Sequence, residues 1–202
     1  MQGQLVRLLP YGTGDYLLIT RDQTSRAYVL DGQSAQVKTL LSDALPNDAQ
    51  FVHLGTRIGV LFVAPPSTAL QLGYLEVSGE ITHEQTVVPD FCTPPSKCSM
   101  AASAALGSGY VGVTWNGRLR RFAAIDLTPV DVTPIAAVPI SPGTPKMAFD
   151  GTNFVITWTS SSQLRLSRVR ASDGSVLDGG PEQKPCAKTR ELDLGRSSLM
   201  SW

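Results

Sequence analysis

The sequence has few charged residues and few of the residues that most often carry out catalysis. Only 17% of its 202 residues are charged, against roughly a quarter in an average soluble domain, and 17 basic residues balance 17 acidic ones. There is no run of like charge, which argues against nucleic acid or an anionic membrane surface as a partner. No stretch approaches the roughly 20 apolar residues that a membrane-spanning helix requires, so no membrane span is expected.

Local signatures of catalysis and of cofactor binding are also missing. The chain contains neither the G-x-S-x-G turn of many serine hydrolases nor the G-x-x-x-x-G-K-[ST] loop that holds nucleotide phosphates. Of the two histidines, His53 lies in an apolar strand and is predicted to pack in the core, whereas His83, beside Glu84, is predicted to be solvated. The sequence therefore predicts no catalytic residue, no cofactor and no metal ligand.

Isolated acidic residues and one basic cluster are likewise interpreted as structural. Asp150 and Asp173 each stand alone in an Asp-Gly turn, whereas a calcium loop needs several carboxylates at alternate positions. Both are therefore predicted to shape turns. Arg118, Arg120 and Arg121 form the densest basic group and are predicted to lie on a solvated face.

Turn-forming residues, by contrast, are plentiful and separate short apolar strands. The chain contains 18 glycines and 14 prolines. In FDGTNFVITW (149–158), an Asp-Gly-Thr-Asn turn precedes a strand in which Phe154, Ile156 and Trp158 point to one side. Together with PKMAF (145–149) before the turn, this stretch predicts a β-hairpin of two largely buried strands.

A third strand is predicted directly after this hairpin. In LRLSRVRA (164–171), Leu164, Leu166 and Val169 are predicted to form one apolar face between arginines. An Asp-Gly turn at Asp173 then leads into a fourth strand, so the unit is predicted to have four antiparallel strands.

The unit recurs along the chain at a nearly constant interval. Equivalent glycines are Gly12, Gly55, Gly107, Gly151 and Gly195, separated by 43, 52, 44 and 44 residues, and equivalent tryptophans are Trp115, Trp158 and Trp202. The long interval contains the extra segment PDFCTPPSKCSM. The repeat predicts four whole units, approximately 1–47, 48–91, 98–142 and 143–186, and a partial fifth unit, 187–202.

Tandem four-stranded units of 40 to 50 residues are typical of a β-propeller. A single small sheet cannot bury its apolar surface, but sheets that pack face to face around an axis bury both faces. The sequence therefore predicts one all-β propeller domain over 1–202, with four full blades and a half blade. Because a half blade leaves the ring open, the chain is expected to be a fragment of a larger propeller.

The fourth unit, with its Asp-Gly-Thr-Asn turn, its strand ending in Trp158 and its later Asp-Gly turn, resembles a tandem repeat of secreted myxobacterial proteins. The resemblance is good in this unit and partial in the third and fifth. It implies an exported propeller, in an extracellular or periplasmic location. The N-terminal MQGQLVRLLPYG lacks the features of a signal peptide, so the mature protein is either cytosolic or a piece of a longer exported chain.

Three cysteines bear on the compartment. Cys92 and Cys98 flank TPPSK and are predicted to form a disulfide within one interblade connection. Their spacing lies outside the common zinc patterns, and a pair of free thiols is an alternative. Cys186 is expected to stay free or to pair outside this chain. A disulfide would indicate an oxidising compartment, in agreement with the resemblance.

These observations favour a non-catalytic exported propeller for binding or scaffolding, with an unknown protein or carbohydrate ligand. The predicted contact loops are 21–23, 65–68, 116–118 and 159–163. The connection from Pro89 to Cys98 departs most from the repeat, and the predicted binding loop within it consists of Pro94, Pro95, Ser96 and Lys97. The alternative is a propeller-based hydrolase or lyase whose active-site residues lie partly outside this chain. Its candidate carboxylates are Asp15, Asp150, Glu191 and Asp193.

Overall fold

A computed structural model describes residues 4–22, 24–46, 48–63, 68–91, 101–138, 144–160 and 163–178. These residues form fifteen β-strands joined by turns. No helix occurs among them, and so none that is long and apolar enough to cross a membrane. The all-β class that the sequence predicts is confirmed.

The strands form four antiparallel sheets in chain order, here called blades 1 to 4. Blade 1 consists of β1 (Gln4–Tyr11), β2 (Asp15–Arg21), β3 (Ser25–Leu30) and β4 (Val37–Leu45). Blade 2 consists of β5 (Gln50–His53), β6 (Ile58–Val63), β7 (Leu70–Leu75) and β8 (Ile81–Val88). Blade 3 consists of β9 (Ala102–Gly107), β10 (Tyr110–Trp115), β11 (Arg118–Ala123) and β12 (Ile135–Ala136). Blade 4 consists of β13 (Lys146–Phe149), β14 (Asn153–Ser160) and β15 (Gln163–Arg170), and Val169 also forms an isolated bridge with Val176.

The blades are arranged around a common axis, with the first strand of each blade innermost. Within a blade, each strand is hydrogen-bonded only to its neighbours in sequence. Between blades, the first strands contact one another in order: β1 meets β5, β5 meets β9, and β9 meets β13. This is the arrangement of a β-propeller, as the repeat predicts.

Three hydrophobic clusters hold the blades together, and each joins two consecutive blades. Blades 1 and 2 share a cluster built on Leu17, Ile19, Val60 and Phe62. Blades 2 and 3 share a second one, which includes Trp115. The third, between blades 3 and 4, includes Leu119, Phe154, Ile156, Trp158 and Val169. Burial between sheets therefore supplies the core, since no blade has a core of its own.

The predicted hairpin of blade 4 is confirmed, but only its second strand is largely buried, since the residues of β13 are alternately exposed and half-buried. Asp150 and Asn153 are bonded through their backbones across the turn, and Gly151 has a φ of +101°, a value that favours glycine. Phe154 and Ile156 are fully buried on the side facing blade 3. Trp115 and Trp158 are buried at the same register of consecutive blades, as the repeat predicts. Trp202 lies outside the described residues.

The predicted apolar face of the third strand in blade 4 is wrong. Pairing between β14 and β15 is regular from Asn153–Arg170 to Ser160–Gln163, so strict alternation applies. Val169 faces blade 3 and is buried, whereas Leu164 and Leu166 lie on the opposite side and are 68% and 45% exposed.

Candidate functional site

The turns and connections lie at two opposite ends of the blades. One end, here called the connection face, carries the loops between second and third strands and the connections between blades. The other, here called the turn face, carries the remaining turns within each blade. The described strand ends beside the predicted contact loops and the start of the connection, at Pro89 to Phe91, therefore lie at the connection face, because antiparallel pairing returns the chain to that end before each new blade. Residues 23, 65–67 and 161–162 of the predicted contact loops lie outside the described residues.

The connection between blades 2 and 3 is anchored to blade 2 where it begins. The Phe91 amide donates to the Thr68 carbonyl at 2.9 Å, and the Thr68 hydroxyl donates to the Pro89 carbonyl at 3.5 Å. The Phe91 side chain packs against the cluster between blades 2 and 3. Cys92, Pro94, Pro95, Ser96, Lys97 and Cys98 lie outside the described residues, and so does Cys186.

Both blades also fix the end of this connection. The Gln50 side-chain amide of blade 2 donates to the Ala102 carbonyl, at the start of blade 3. Gln50 lies on β5 and Ala102 on β9, the innermost strands of their blades. A long connection therefore leaves and re-enters the scaffold at two fixed points.

A neighbouring loop on the connection face is tight. Asn116 and Gly117 both have positive φ angles, +43° and +76°, which is the conformation of a two-residue hairpin turn. The Gly117 carbonyl accepts hydrogen bonds from the Ala137 and Val138 amides, each at 3.0 Å. This loop is therefore held by the chain that leaves blade 3, and Arg118 beside it is exposed.

On the turn face, aspartates close turns in a repeated way. Asp31, Asp126, Asp150 and Asp173 each accept a hydrogen bond from the backbone amide two residues further on. This is the Asx-turn arrangement. It confirms that Asp150 and Asp173 shape turns.

The same hydrogen bonds lower the pKa values of these carboxyl groups, because they favour the ionised form. Bonds from the Ser175 hydroxyl and amide, with Arg170 nearby, lower the pKa of Asp173 to about 2. The pKa values of Asp31, Asp126 and Asp150 are also lowered, chiefly by backbone amide donors.

We expect the free energy of unfolding to fall as the pH is lowered from about 4 to about 2. The folded-state pKa values lie below the unfolded value of about 3.9. The stabilisation is therefore complete above that value and is lost as the pH falls through the folded values. Urea unfolding at several pH values measures this effect. Replacing Asp31, Asp126, Asp150 and Asp173 together with asparagine should flatten the dependence, because asparagine keeps the turn but does not titrate.

A matched control is Glu84→Gln, which removes one exposed carboxylate on β8 without altering a turn. This variant should keep the pH dependence of the parent. Equal slopes for the parent and the fourfold asparagine variant would show that the turns do not cause the acid sensitivity.

The candidate carboxylates for catalysis are already engaged where the structure describes them. Asp15 accepts a hydrogen bond from the Lys38 ammonium at 2.7 Å, and Lys38 also lies 3.1 Å from Asp31. Asp150 closes its turn. Glu191 and Asp193 lie outside the described residues. Within the described ranges, no group of three or more histidine, cysteine, aspartate or glutamate side chains could hold a metal ion.

The two histidines occupy different surroundings. His53 is only half-buried, at the end of β5, so the prediction of a packed core position is wrong. His83 is exposed on the outer strand β8, as predicted. Its ring lies edge-on to Tyr74 with 5.6 Å between centroids, and its Nδ1 shares a hydrogen bond with the Thr82 hydroxyl at 3.0 Å. Tyr74 in turn donates to the Ala124 carbonyl of blade 3 at 2.9 Å.

The predicted solvated arginine face is wrong for two of its three residues. Arg120 and Arg121 are adjacent on β11 and so point to opposite faces of blade 3, each covered by a neighbouring blade. Arg120 donates to the Val87 carbonyl of blade 2 at 3.3 Å. Arg121 donates to the Ala171 carbonyl of blade 4 at 2.9 Å.

Arg121 also forms a buried ion pair with Asp131. Arg121 Nη2 lies 2.6 Å from Asp131 Oδ1, and the two side chains are 6% and 9% exposed. The Arg121 amide donates to Asp131 Oδ2 at 2.8 Å. The hydrogen bonds that the Arg121 guanidinium donates to Asp131 raise the pKa of Arg121, so the guanidinium stays charged. The pair therefore fastens blade 3 to its own outer segment and to blade 4.

This arrangement recurs in blade 4 at the same spacing. The Arg168 amide and Nε donate to Asp178 Oδ2 at 3.1 and 2.6 Å, and Nη2 donates to Oδ1 at 2.8 Å. Here the side chains are 45% and 31% exposed. An arginine and an aspartate ten residues apart recur after 47 residues, so the sequence does contain a signal for this pair.

Comparisons with known proteins support the fold and no more. No family model and no curated protein matches the chain. A Saccharomyces cerevisiae complex of Dbp5 bound to Nup159 matches at 11% identity and a TM-score of 0.54, over 86% of this chain and 46% of that one. A quinonprotein alcohol dehydrogenase-like protein from Bacteroides thetaiotaomicron matches at 11% identity and a TM-score of 0.53, over 87% and 40%. TolB from Acinetobacter baumannii matches at 9% identity and a TM-score of 0.51, over 86% and 43%. The chain spans less than half the length of each of these structures.

Proposed function

We propose that this chain is an exported, non-catalytic β-propeller module that binds a protein or carbohydrate partner through its connection face. The observation that carries the proposal is the anchoring of the connection between blades 2 and 3. Phe91 and Ala102 are tied to blade 2 through Thr68 and Gln50. Binding residues are often placed on loops that a rigid scaffold positions, and this connection is the largest departure from the repeat.

Several features support binding over catalysis. The described carboxylates among the catalytic candidates are occupied, since Asp15 is paired with Lys38 and Asp150 closes a turn. One similar solved structure is a complex in which Dbp5 is bound to Nup159, which is consistent with a protein as partner. Export is supported by the resemblance to secreted repeats and by the proposed disulfide between Cys92 and Cys98.

Deletion of Pro94–Lys97 tests the proposal. Ligands are first selected with a peptide display library and a glycan array, using the full chain as bait. The deletion is expected to lower the affinity for the selected ligands by about tenfold or more, equivalent to about 1.4 kcal/mol of binding free energy. Isothermal calorimetry or surface plasmon resonance measures the change.

The control is Val77→Ala, at an 81% exposed residue in the turn between β7 and β8, on the turn face. It should leave the affinity unchanged, and circular dichroism should show that both variants keep the β-sheet content of the parent. An affinity that the deletion leaves unchanged but the turn-face substitution lowers would contradict the proposal.

A further inference from the structure

The outer side of blade 4 has the same design as a side of blade 3 that is fully covered. Leu119 of β11 pairs with Thr114 of β10, and Leu166 of β15 pairs with Thr157 of β14, so the two leucines occupy one register. Leu119 is completely buried, whereas Leu166 is 45% exposed. The difference arises because blade 4 lies over Leu119, and no described residue lies over Leu166 in the same way.

The cluster that contains Leu119 shows which residues of the next blade cover this face of a third strand. Leu119 shares its cluster with Ile156 and Trp158, from the second strand of blade 4, and with Val169 from its third strand. The face of β11 therefore accepts an isoleucine and a tryptophan that alternate along the second strand of the following blade. The corresponding face of β15 offers Leu166 at the equivalent position.

Residues 187–202 carry a matching pattern. Gly195 follows Gly151 by 44 residues, and Trp202 follows Trp158 by the same interval. At this offset, Met200 takes the place of Ile156. The chain between Asp178 and residue 190, which corresponds to the start of β13, has eleven residues. Since each extended residue spans about 3.3 Å, this length is ample for the return to the innermost position.

We propose that residues 187–202 dock on the outer side of blade 4 as the first two strands of a fifth blade, with Met200 and Trp202 over Leu166. The interface between blades 3 and 4 would thus be repeated in part, since Ser198 stands at the position equivalent to Phe154. The proposal concerns a surface away from the connection face and does not depend on the proposed function.

Docking of residues 187–202 would leave one part of this surface uncovered. Arg121 is covered by Ala171 and by the turn at Gly174, which follow the third strand of blade 4. Residues 187–202 correspond only to the first two strands, so they have no counterpart of these groups. Docking of residues 187–202 alone would therefore leave the Arg168–Asp178 pair partly exposed.

Iodide quenching of tryptophan fluorescence in the full chain tests the proposal. Trp115 and Trp158 are buried, so the iodide-accessible fraction reports on Trp202, one of three tryptophans. If Trp202 is docked, the iodide-accessible fraction of the tryptophan fluorescence is small, and Trp202→Phe hardly changes it. Leu166→Asp should raise the accessible fraction toward that of one tryptophan in three, and the milder Leu166→Ala should raise it partway.

Val132→Asp, at a 92% exposed residue in the segment between β11 and β12 of blade 3, is the matched control and should leave quenching unchanged. Sedimentation and dilution distinguish docking within one chain from docking between chains. A Trp202 that is fully quenched in the parent overturns the proposal. The proposal is also overturned if sedimentation shows a dimer and Trp202 loses its protection from iodide on dilution, since a second copy of the chain would then cover the surface.

Discussion

Replacing Asp131 with alanine is expected to lower the free energy of unfolding by about 3–5 kcal/mol, because it leaves the Arg121 guanidinium buried without its counter-charge. Asp131 accepts hydrogen bonds from the Arg121 guanidinium and from its backbone amide. Both groups lie beneath blade 4, where water cannot replace the lost acceptor. Urea unfolding monitored by circular dichroism measures the loss.

The repeat supplies a control for this substitution. Asp178→Ala removes the same contacts from Arg168, but this pair is partly exposed. Exposed ion pairs contribute about 0–1 kcal/mol, so the loss should be several-fold smaller. Losses of equal size at the two positions would show that burial by the neighbouring blade does not determine the contribution of the pair.

Replacing Phe154 with alanine is expected to cost about 3–5 kcal/mol, the range for emptying a fully buried aromatic site. Phe154 is completely buried between blades 3 and 4. Its ring packs on the backbone of Gly112, where a Cβ atom would lie 3.1 Å from the ring. Because a rigid strand forms this wall, the cavity cannot collapse easily. The free energy of unfolding in urea measures the loss.

The control for Phe154→Ala is Val77→Ala. Val77 is 81% exposed in a turn of blade 2. It removes apolar atoms without opening a cavity, and its effect should stay within about 0.5 kcal/mol. Similar losses for both variants would contradict a core built at the seams between blades.

Much of the fold could be predicted because the repeat and the hairpin are local properties of the sequence. The Asp150–Asn153 turn needs only its own residues, and the alternation of Phe154 and Ile156 follows from strand geometry. The third strand of blade 4 shows where this reasoning failed. Leu164, Leu166 and Val169 look like one apolar group in sequence, but Leu166 and Val169 are three positions apart, and an odd spacing places them on opposite faces of the strand.

Less of the candidate site could be predicted. The sequence indicates that the connection after Pro89 is exceptional, but not that Thr68 and Gln50 anchor its two ends. Those contacts join residues about 20 and 50 positions apart, and only the packing of blades brings them together. The prediction that the arginines of β11 are solvated was wrong for the same reason. Their charge favours exposure to solvent, but the burial of Arg120 and Arg121 depends on two other blades.

By itself, the sequence determined the period of the repeat, the turns and the alternation within most strands, because each depends on residues close together in the chain. Only the tertiary structure decided which of two equivalent residues is buried. Leu119 and Leu166 are the same residue type at the same register, as are Arg121 and Arg168, yet one of each pair is covered and the other is not. The cause is the next blade: burial is a property of two sheets in contact, and no sheet carries it alone.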